Sequence, residues 1–305
     1  MTSVWTISFT GVCWTAMKGG GWILGRQDSK GEYTGDNIAF LYPDLSTALV
    51  GKFLQGILVS ARAAVVASSS LVDGVLVPSF SFLSDQKFSY WPSTIDRVLC
   101  PPHQRDPYES RLVRVGTSGM EGGGEGLFAQ RFIASGTVVA FYNGVRIGQE
   151  DPNPHGTTGY CIFVDWGKQL PFPFPWVKEG EQIDIPAMYQ SSEDYTATLA
   201  HKVNHSFVTN CEFTNFCHPC YGLLPAIVAT SDVAKDEELF TNYSLDMKVG
   251  STSLSQKPIL CRRLLSGTSL VGNLLNRRHC RWMTLNKSLH KKGELVCLSH
   301  YLSAV

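Results

Sequence analysis

Two tyrosines, Tyr142 and Tyr243, a polar pair, Asn204-His205, and a glycine run over residues 122–126 are the residues of this chain best suited to chemistry. A tyrosine ring makes an apolar wall, and its hydroxyl accepts a hydrogen bond from an ammonium group. Asparagine and histidine bring donors and acceptors together. Consecutive glycines let a backbone approach a ligand closely and adopt positive φ. Each group also has an ordinary reading. The glycines form a turn, Asn204-His205 a satisfied buried pair, and either tyrosine a core residue. The glycine run is not a dinucleotide fingerprint, because the spacing and the following helix are absent. Cys211, Cys217, His218 and Cys220 offer metal ligands. Their C-x5-C-H-x-C spacing is irregular and no second CxxC pair accompanies it, so no metal is expected. The acidic stretch 232–238 and Glu193-Asp194 read as solvated loops, with no motif for a hydrolytic carboxylate pair.

The elements that must position these residues are short. Over residues 106–246, apolar runs such as Leu112-Val113-Arg114-Val115, Leu127-Phe128-Ala129 and residues 138–142 alternate with glycine and proline. That density predicts a mainly β domain, a β-rich α+β arrangement, with one helix over residues 191–201. Residues 11–60 repeat loosely with a period near 26 residues: residues 20–25 return as 46–53, each followed by a glycine turn. Strands punctuated in this way read as stacked β-hairpins. Residues 61–105 read as a β-rich connector. Three alternating prolines between Trp166 and Trp176 exclude a central strand, so residues 165–182 are expected to form an inserted loop. Residues 247–305 show no period or cap.

The composition sets outer bounds. The chain has 305 residues, 44% hydrophobic and 17% charged, enough apolar surface for a buried core. No run approaches the ~18 apolar residues of a membrane span. The start lacks a basic n-region and a cleavage site, so no secretory signal is expected, and the sequons at Asn204 and Asn242 lose their force. Nine cysteines without regular pairing distances suggest reduced thiols. The formal net charge of zero conceals an asymmetry. Residues from Met247 onward hold ten of the 26 basic residues and one of the 26 acidic ones, so the body is net −9 and the tail +9. An acidic body steers basic partners.

Order and separation sharpen the reading. Gly124-Glu125-Gly126-Leu127-Phe128, Phe141-Tyr142-Asn143-Gly144, Asn204-His205-Ser206-Phe207 with Asn210-Cys211, and Glu237-Glu238-Leu239-Phe240-Thr241-Asn242-Tyr243 follow one another in the chain. In this order they resemble the SET-domain protein lysine methyltransferases, over about residues 11–246. Asp106-Pro107-Tyr108-Glu109-Ser110, residues 141–147 and residues 201–207 are similar, nearly residue for residue, to the branch of histone-lysine methyltransferases that carries MORN repeats ahead of the SET domain. The resemblance implies a SET-domain fold over 106–246, preceded by partial MORN-like hairpin repeats over 11–60, with its last motifs threading a preceding loop. The implied activity is transfer of a methyl group from S-adenosylmethionine to a lysine side chain. Gly123, Gly124 and Glu125 then contact the methionine part of the cofactor, and Asn204 and His205 its amine and adenine. Tyr142 sits at the lysine amine and Tyr243 beside the transferred methyl.

Two departures from the family pattern matter. Phe213 stands where the family has a tyrosine, and Leu245 where it has a second one two places after Tyr243. Losing a hydroxyl that holds a water near the amine enlarges the channel, so Phe213 belongs with the catalytic set and predicts transfer of more than one methyl. The implied partner is a lysine-containing basic peptide or histone tail, with other nuclear proteins as further substrates. A nuclear location on chromatin follows, and a cytoplasmic pool is compatible. A monomer is expected, with no direct nucleic-acid reading and no membrane contact. The family's closing aromatic segment has no counterpart after residue 246. This leaves a second reading open, a SET-domain protein that binds without turnover.

Overall fold

Strict alternation along the N-terminal strands places apolar side chains on both faces of one sheet. In the computed structural model, which describes residues 4–5, 12–72, 74–148, 161–164 and 182–243, this sheet has seven strands. They are β1 (Val4–Trp5), β2 (Cys13–Ala16), β3 (Trp22–Gly25), β4 (Gly35–Leu41), β5 (Thr47–Leu54), β6 (Ile57–Val72) and β7 (Val75–Phe88). Their order is β1-β7-β6-β5-β4-β3-β2, with every pair antiparallel. Residues 61–72 and 75–88, read from sequence as part of a β-rich connector, are strands of the same sheet. Ile23, Ile38, Phe40, Leu49 and Phe53 enter the main core, while Leu24, Ala39, Leu41, Ala48 and Val50 form a second cluster on the opposite face. The sheet curls around this second cluster: Trp14 of β2 donates its indole N–H to the Leu76 carbonyl of β7 at 2.9 Å. All described residues belong to the first of two units, Met1–Leu265; the second, Ser266–Val305, lies outside them, as does the insertion expected over 165–182 except for Gln182, which is in a strand.

After the sheet come a one-turn helix α1 (Glu109–Leu112) and the hairpin β8 (Val113–Thr117) and β9 (Glu125–Ala129). Next are β10 (Val138–Phe141), β11 (Val145–Ile147), β12 (Ile162–Phe163), β13 (Gln182–Asp184), β14 (Asn204–His205), β15 (Cys211–His218), β16 (Gly222–Ala229) and β17 (Phe240–Thr241). They form small sheets: β10-β16-β15, β11-β13-β12, and the parallel pair β14-β17. The mainly β fold expected from composition is the fold observed. The helix expected over residues 191–201 is not formed. The Thr196 and Ala197 N–H groups donate to the Pro102 carbonyl at 2.7 and 2.9 Å, and those of Asp194 and Tyr195 to the Ser191 carbonyl. Tyr195 makes a single i→i−4 bond, the Pro102 carbonyl takes the next two donors, and within this stretch only a 3-10 turn forms, at Ala200–Lys202.

A buried polar lock joins the N-terminal sheet to the rest. Asp106, 2% exposed, accepts four hydrogen bonds. They come from the Tyr42 hydroxyl at 2.5 Å, His218 Nε2 at 3.0 Å, and the backbone N–H groups of Tyr108 at 3.0 Å and Glu109 at 2.8 Å. Tyr42 stacks on Tyr108 with ring centres 5.1 Å apart, and Phe141 packs against both Phe216 and His218. Beside Asp106, the Glu109 carboxylate oxygen Oε1 accepts from Leu199 N–H at 2.7 Å and Phe141 N–H at 3.3 Å. Burial, then repulsion from Asp106, pushes the Glu109 carboxyl well above the ordinary 4.5, against the pull of those two N–H groups. Folding therefore favours its protonated form. That contribution is fully present below about pH 4.5 and is lost as pH rises through the raised folded value. Glu109→Gln keeps an oxygen acceptor and removes the titration. The difference in unfolding free energy between variant and wild type is thus expected to grow with pH above 4.5. Urea denaturation at a series of pH values reads this directly, and a pH-independent difference would contradict it.

Candidate functional site

The hairpin β8–β9, the pair β14–β17 and the turn before β14 converge around one buried carboxylate. Glu238, 8% exposed, binds the Ser118 hydroxyl at 2.7 Å, the Gly119 N–H at 3.1 Å and Asn204 Nδ2 at 3.0 Å. Asn204 Nδ2 also donates to the Glu125 carbonyl at 3.2 Å. This bracket ties the glycine loop to β14. It works only because residue 126 has no side chain: a Cβ there would lie 2.2 Å from Glu238 Oε1 and 3.3 Å from Asn204 Nδ2. Gly122 and Gly124 have φ of +71° and +62°, so the loop takes conformations that L side chains rarely adopt. Its Gly123 N–H closes a turn on the Met120 carbonyl at 2.9 Å.

The Glu125 side chain faces a second group. Its oxygens accept from the Ser192 hydroxyl, the Ser192 N–H at 3.2 Å and Lys202 Nζ at 2.5 Å, and Lys202 also donates to the Gln190 carbonyl. Partial burial acts to raise the Glu125 carboxyl, but the Lys202 and Ser192 hydrogen bonds outweigh it and hold it below its ordinary range. The buried ammonium of Lys202 is thus paired.

Tyr243 and Tyr142 lie on either side of the segment 201–205. The Tyr243 hydroxyl donates to the Val203 carbonyl, and the Tyr243 N–H donates to His205 Nδ1 at 3.1 Å. The His205 ring lies 5.3 Å from that of Tyr243. Because Nδ1 accepts, the neutral His205 ring carries its hydrogen on Nε2. That atom is buried without a partner among the described residues, as is Thr241 Oγ1 at the register position facing His205. Tyr142 is buried at the end of β10, its ring edge-on to Phe213 at 6.1 Å and to His201 at 6.4 Å. Gly144 sustains this turn: a Cβ there would meet the Asp184 carbonyl oxygen at 2.3 Å.

Sequence reasoning singled out Tyr142, Tyr243, Phe213, Gly123, Gly124, Glu125, Asn204 and His205, and the fold brings them into these neighbouring groups. It read Glu238 as part of a solvated loop, which the structure corrects: its carboxylate is buried because three donors converge on it. Ser118, Ser192, Lys202 and His201 were also missed. Lys202 and His201 stood within a quoted motif, whereas nothing in the local sequence marks Ser118 or Ser192. The cysteines do not form one site. Cys211 and Cys217 are six residues apart on the extended strand β15, about 20 Å. The Cys211 thiol donates to the Phe240 carbonyl, and His218 is held by Asp106 and by the Cys220 N–H. Leu245 lies outside the described residues.

Known families match two regions of the chain, and the second along the sequence holds most of these groups. A family described as SET domain matches residues 124–244, and one described as Histone H3 K4-specific methyltransferase SET7 N-terminal matches residues 8–74. Residues 124–244 thus carry a SET domain. Among the chain's relatives is histone-lysine N-methyltransferase SETD7 of Halocynthia roretzi, 32% identical over 243 residues. That alignment covers 79% of this chain and 60% of the relative, so the chain spans about three-fifths of that protein's length. Solved structures that match include the Chaetomium thermophilum polycomb repressive complex 2, at 24% identity and a TM-score of 0.31 over 45% of this chain and 16% of the other. A second is ctPRC2 in an autoinhibited conformation bound to S-adenosylmethionine, at 23% identity and a TM-score of 0.30 over 44% and 15%. Scores this low support no argument.

Proposed function

We propose that this chain is an S-adenosylmethionine-dependent protein-lysine N-methyltransferase acting on a lysine of a basic peptide such as a histone tail. Its place of action is then chromatin in the nucleus. The observation that carries this reading is two polar atoms orphaned among the described residues, His205 Nε2 and Thr241 Oγ1, on paired register positions of β14 and β17 beside Tyr243. A buried donor and a buried hydroxyl without partners are costly unless a ligand or water pairs with them. They fit a polar ligand lying along this pair, as does a glycine loop whose backbone is open to close approach.

In this reading Gly123, Gly124 and Glu125 hold the methionine part of S-adenosylmethionine through backbone groups, and Asn204 and His205 hold its amine and adenine. When bound, the cofactor supplies an electrophilic methyl carbon. Tyr142 accepts a hydrogen bond from the substrate amine, while the rings of Tyr142 and Phe213 line the lysine slot and exclude water. Desolvation in such a slot lowers the lysine pKa and favours the neutral, nucleophilic amine. Tyr243 sets the wall beside the methyl. Most of the acceleration then comes from positioning and fixed dipoles. The net −9 charge of the body before Met247 favours a basic substrate.

Calorimetric titration of S-adenosylmethionine into the purified chain tests the cofactor site. Binding is expected for the wild type. Asn204→Ala, which removes the tie between β14, Glu125 and Glu238, is expected to weaken it about 100-fold, the equivalent of roughly two or three hydrogen bonds to buried groups. Equal affinity in the two proteins would place the cofactor elsewhere. Peptide methylation then tests turnover, and binding without turnover would favour the binding-protein reading.

Phe213 gives a sharper expectation. With no hydroxyl at this position, the wild type is expected to add two or more methyl groups. Phe213→Tyr returns a hydroxyl to a ring whose centre lies 6.1 Å from that of Tyr142 and is expected to stop at one. Mass spectrometry of the product peptide decides, and a wild type that yields only monomethyl-lysine removes the idea.

A further inference from the structure

His201 is the one residue of this region with two unexplained polar atoms. It sits in the 3-10 turn Ala200–Lys202, 3% exposed, and neither Nδ1 nor Nε2 has a hydrogen-bond partner among the described residues. The Thr198 backbone lies beside the ring, outside hydrogen-bond geometry. Burial, then the charge of Lys202, lowers its pKa to about 3 against a weaker pull from Glu125, so the ring is neutral. A neutral imidazole still carries one donor and one acceptor. Left dry, both would cost the fold more than a packed phenyl ring of similar shape.

The surroundings show what the ring serves. Its edge meets the Tyr142 ring at 90°, and its other neighbour is Tyr195, at 5.7 Å. The Tyr195 hydroxyl shares hydrogen bonds with Thr198 Oγ1 at 3.0 Å and Asn143 Nδ2 at 3.4 Å. Thr198 Oγ1 in turn accepts from the Asn143 N–H, next to Tyr142, at 3.3 Å. A rigid polar network thus fixes the backbone at Tyr142, and the His201 ring lies against that tyrosine while its nitrogens stay outside the network. On the other side Tyr142 meets Phe213, which brings no polar atom. Among the described residues, His201 is thus a polar side chain in ring contact with Tyr142, placed to hold water beside it.

We propose that His201 is a positioning residue for Tyr142: its ring nitrogens hold ordered water against that tyrosine, and this water orients the substrate amine. The proposal rests on the methyltransferase reading above and adds to it a polar group that compensates for the phenylalanine at position 213. Buried donors and acceptors without protein partners are the groups that retain buried water.

His201→Phe keeps an aromatic ring and removes both nitrogens; His201→Gln keeps one donor and one acceptor. For His201→Phe we expect kcat on a lysine peptide to fall by about tenfold or more, as for loss of one preorganised polar group. Its cofactor Kd should stay within about twofold and its Tm unchanged or raised, because two orphaned polar atoms leave the core. His201→Gln should recover most of kcat. A residue that only packs would move Tm and cofactor binding together with kcat and would not be rescued by Gln. Such a parallel loss overturns the proposal, and so does an unchanged kcat in His201→Phe. A wild-type chain that binds cofactor but methylates no peptide overturns the methyltransferase reading itself, and this proposal with it. An active wild type matched by His201→Phe overturns only the role of His201.

Discussion

Asp106→Ala is expected to cost the folded state about 3–5 kcal/mol, the range for removing one partner from a buried, hydrogen-bonded network. The reason is the count of donors. Tyr42 OH, His218 Nε2, Tyr108 N–H and Glu109 N–H all end on this carboxylate, and all four are buried. Alanine leaves each without an acceptor and opens a void between aromatic rings. The loss also falls on a junction. Tyr42 follows β4 of the N-terminal sheet, whereas His218 ends β15, so the two halves of the main core lose a shared anchor. Asp106→Asn fills the volume but accepts on one oxygen only, and is expected to lie between Ala and wild type. Chemical denaturation monitored by tryptophan fluorescence measures both. A loss under about 1 kcal/mol for Asp106→Ala would mean that water replaces the carboxylate, and the lock would be peripheral to stability.

Much of this architecture was legible because β-sheets write a simple pattern. In β4, Ile38 and Phe40 point one way, Ala39 and Leu41 the other, and both sets are apolar because both faces are buried. Glycine and proline density marked the later segments as short strands and loops, and six of the eight candidate site residues stood inside motifs whose order carried the resemblance, with Gly123 and Phe213 beside them. What stayed hidden is what depends on convergence. Nothing beside Glu238 in sequence says that Ser118, Gly119 and Asn204, 34 to 120 residues away, will surround it. An acidic run in a loop is ordinarily solvated, and only the third dimension makes this one a bracket. Residues 191–201 carry a helix-compatible composition, yet their N–H groups are claimed by Pro102 and by local turns. His201 shows the same limit in reverse. Its neighbours in the motif announced it, but its lack of partners is a property of packing alone.

Tyr243→Phe is expected to lower kcat by about 100-fold, the scale on which one preorganised polar group contributes to a transition state. Two effects combine. The hydroxyl anchors Tyr243 to the Val203 carbonyl, and the segment it anchors carries His201, Lys202, Asn204 and His205. Its oxygen, having donated its hydrogen to Val203, keeps lone pairs that suit a methyl group carrying partial positive charge. Loss of the anchor alone would cost about 1 kcal/mol and would show mainly as weaker cofactor binding, because Asn204 and His205 would move. Loss of the acceptor would show in kcat with the cofactor Kd nearly unchanged. The ratio of the two therefore separates the roles. The Tyr243 N–H to His205 Nδ1 bond survives the substitution, since it is made by the backbone, and it limits how far β14 and β17 can drift apart. For that reason the larger effect is expected in kcat. A variant that keeps kcat while losing cofactor affinity would make Tyr243 a structural strut and would leave Tyr142 as the sole tyrosine of the reaction centre.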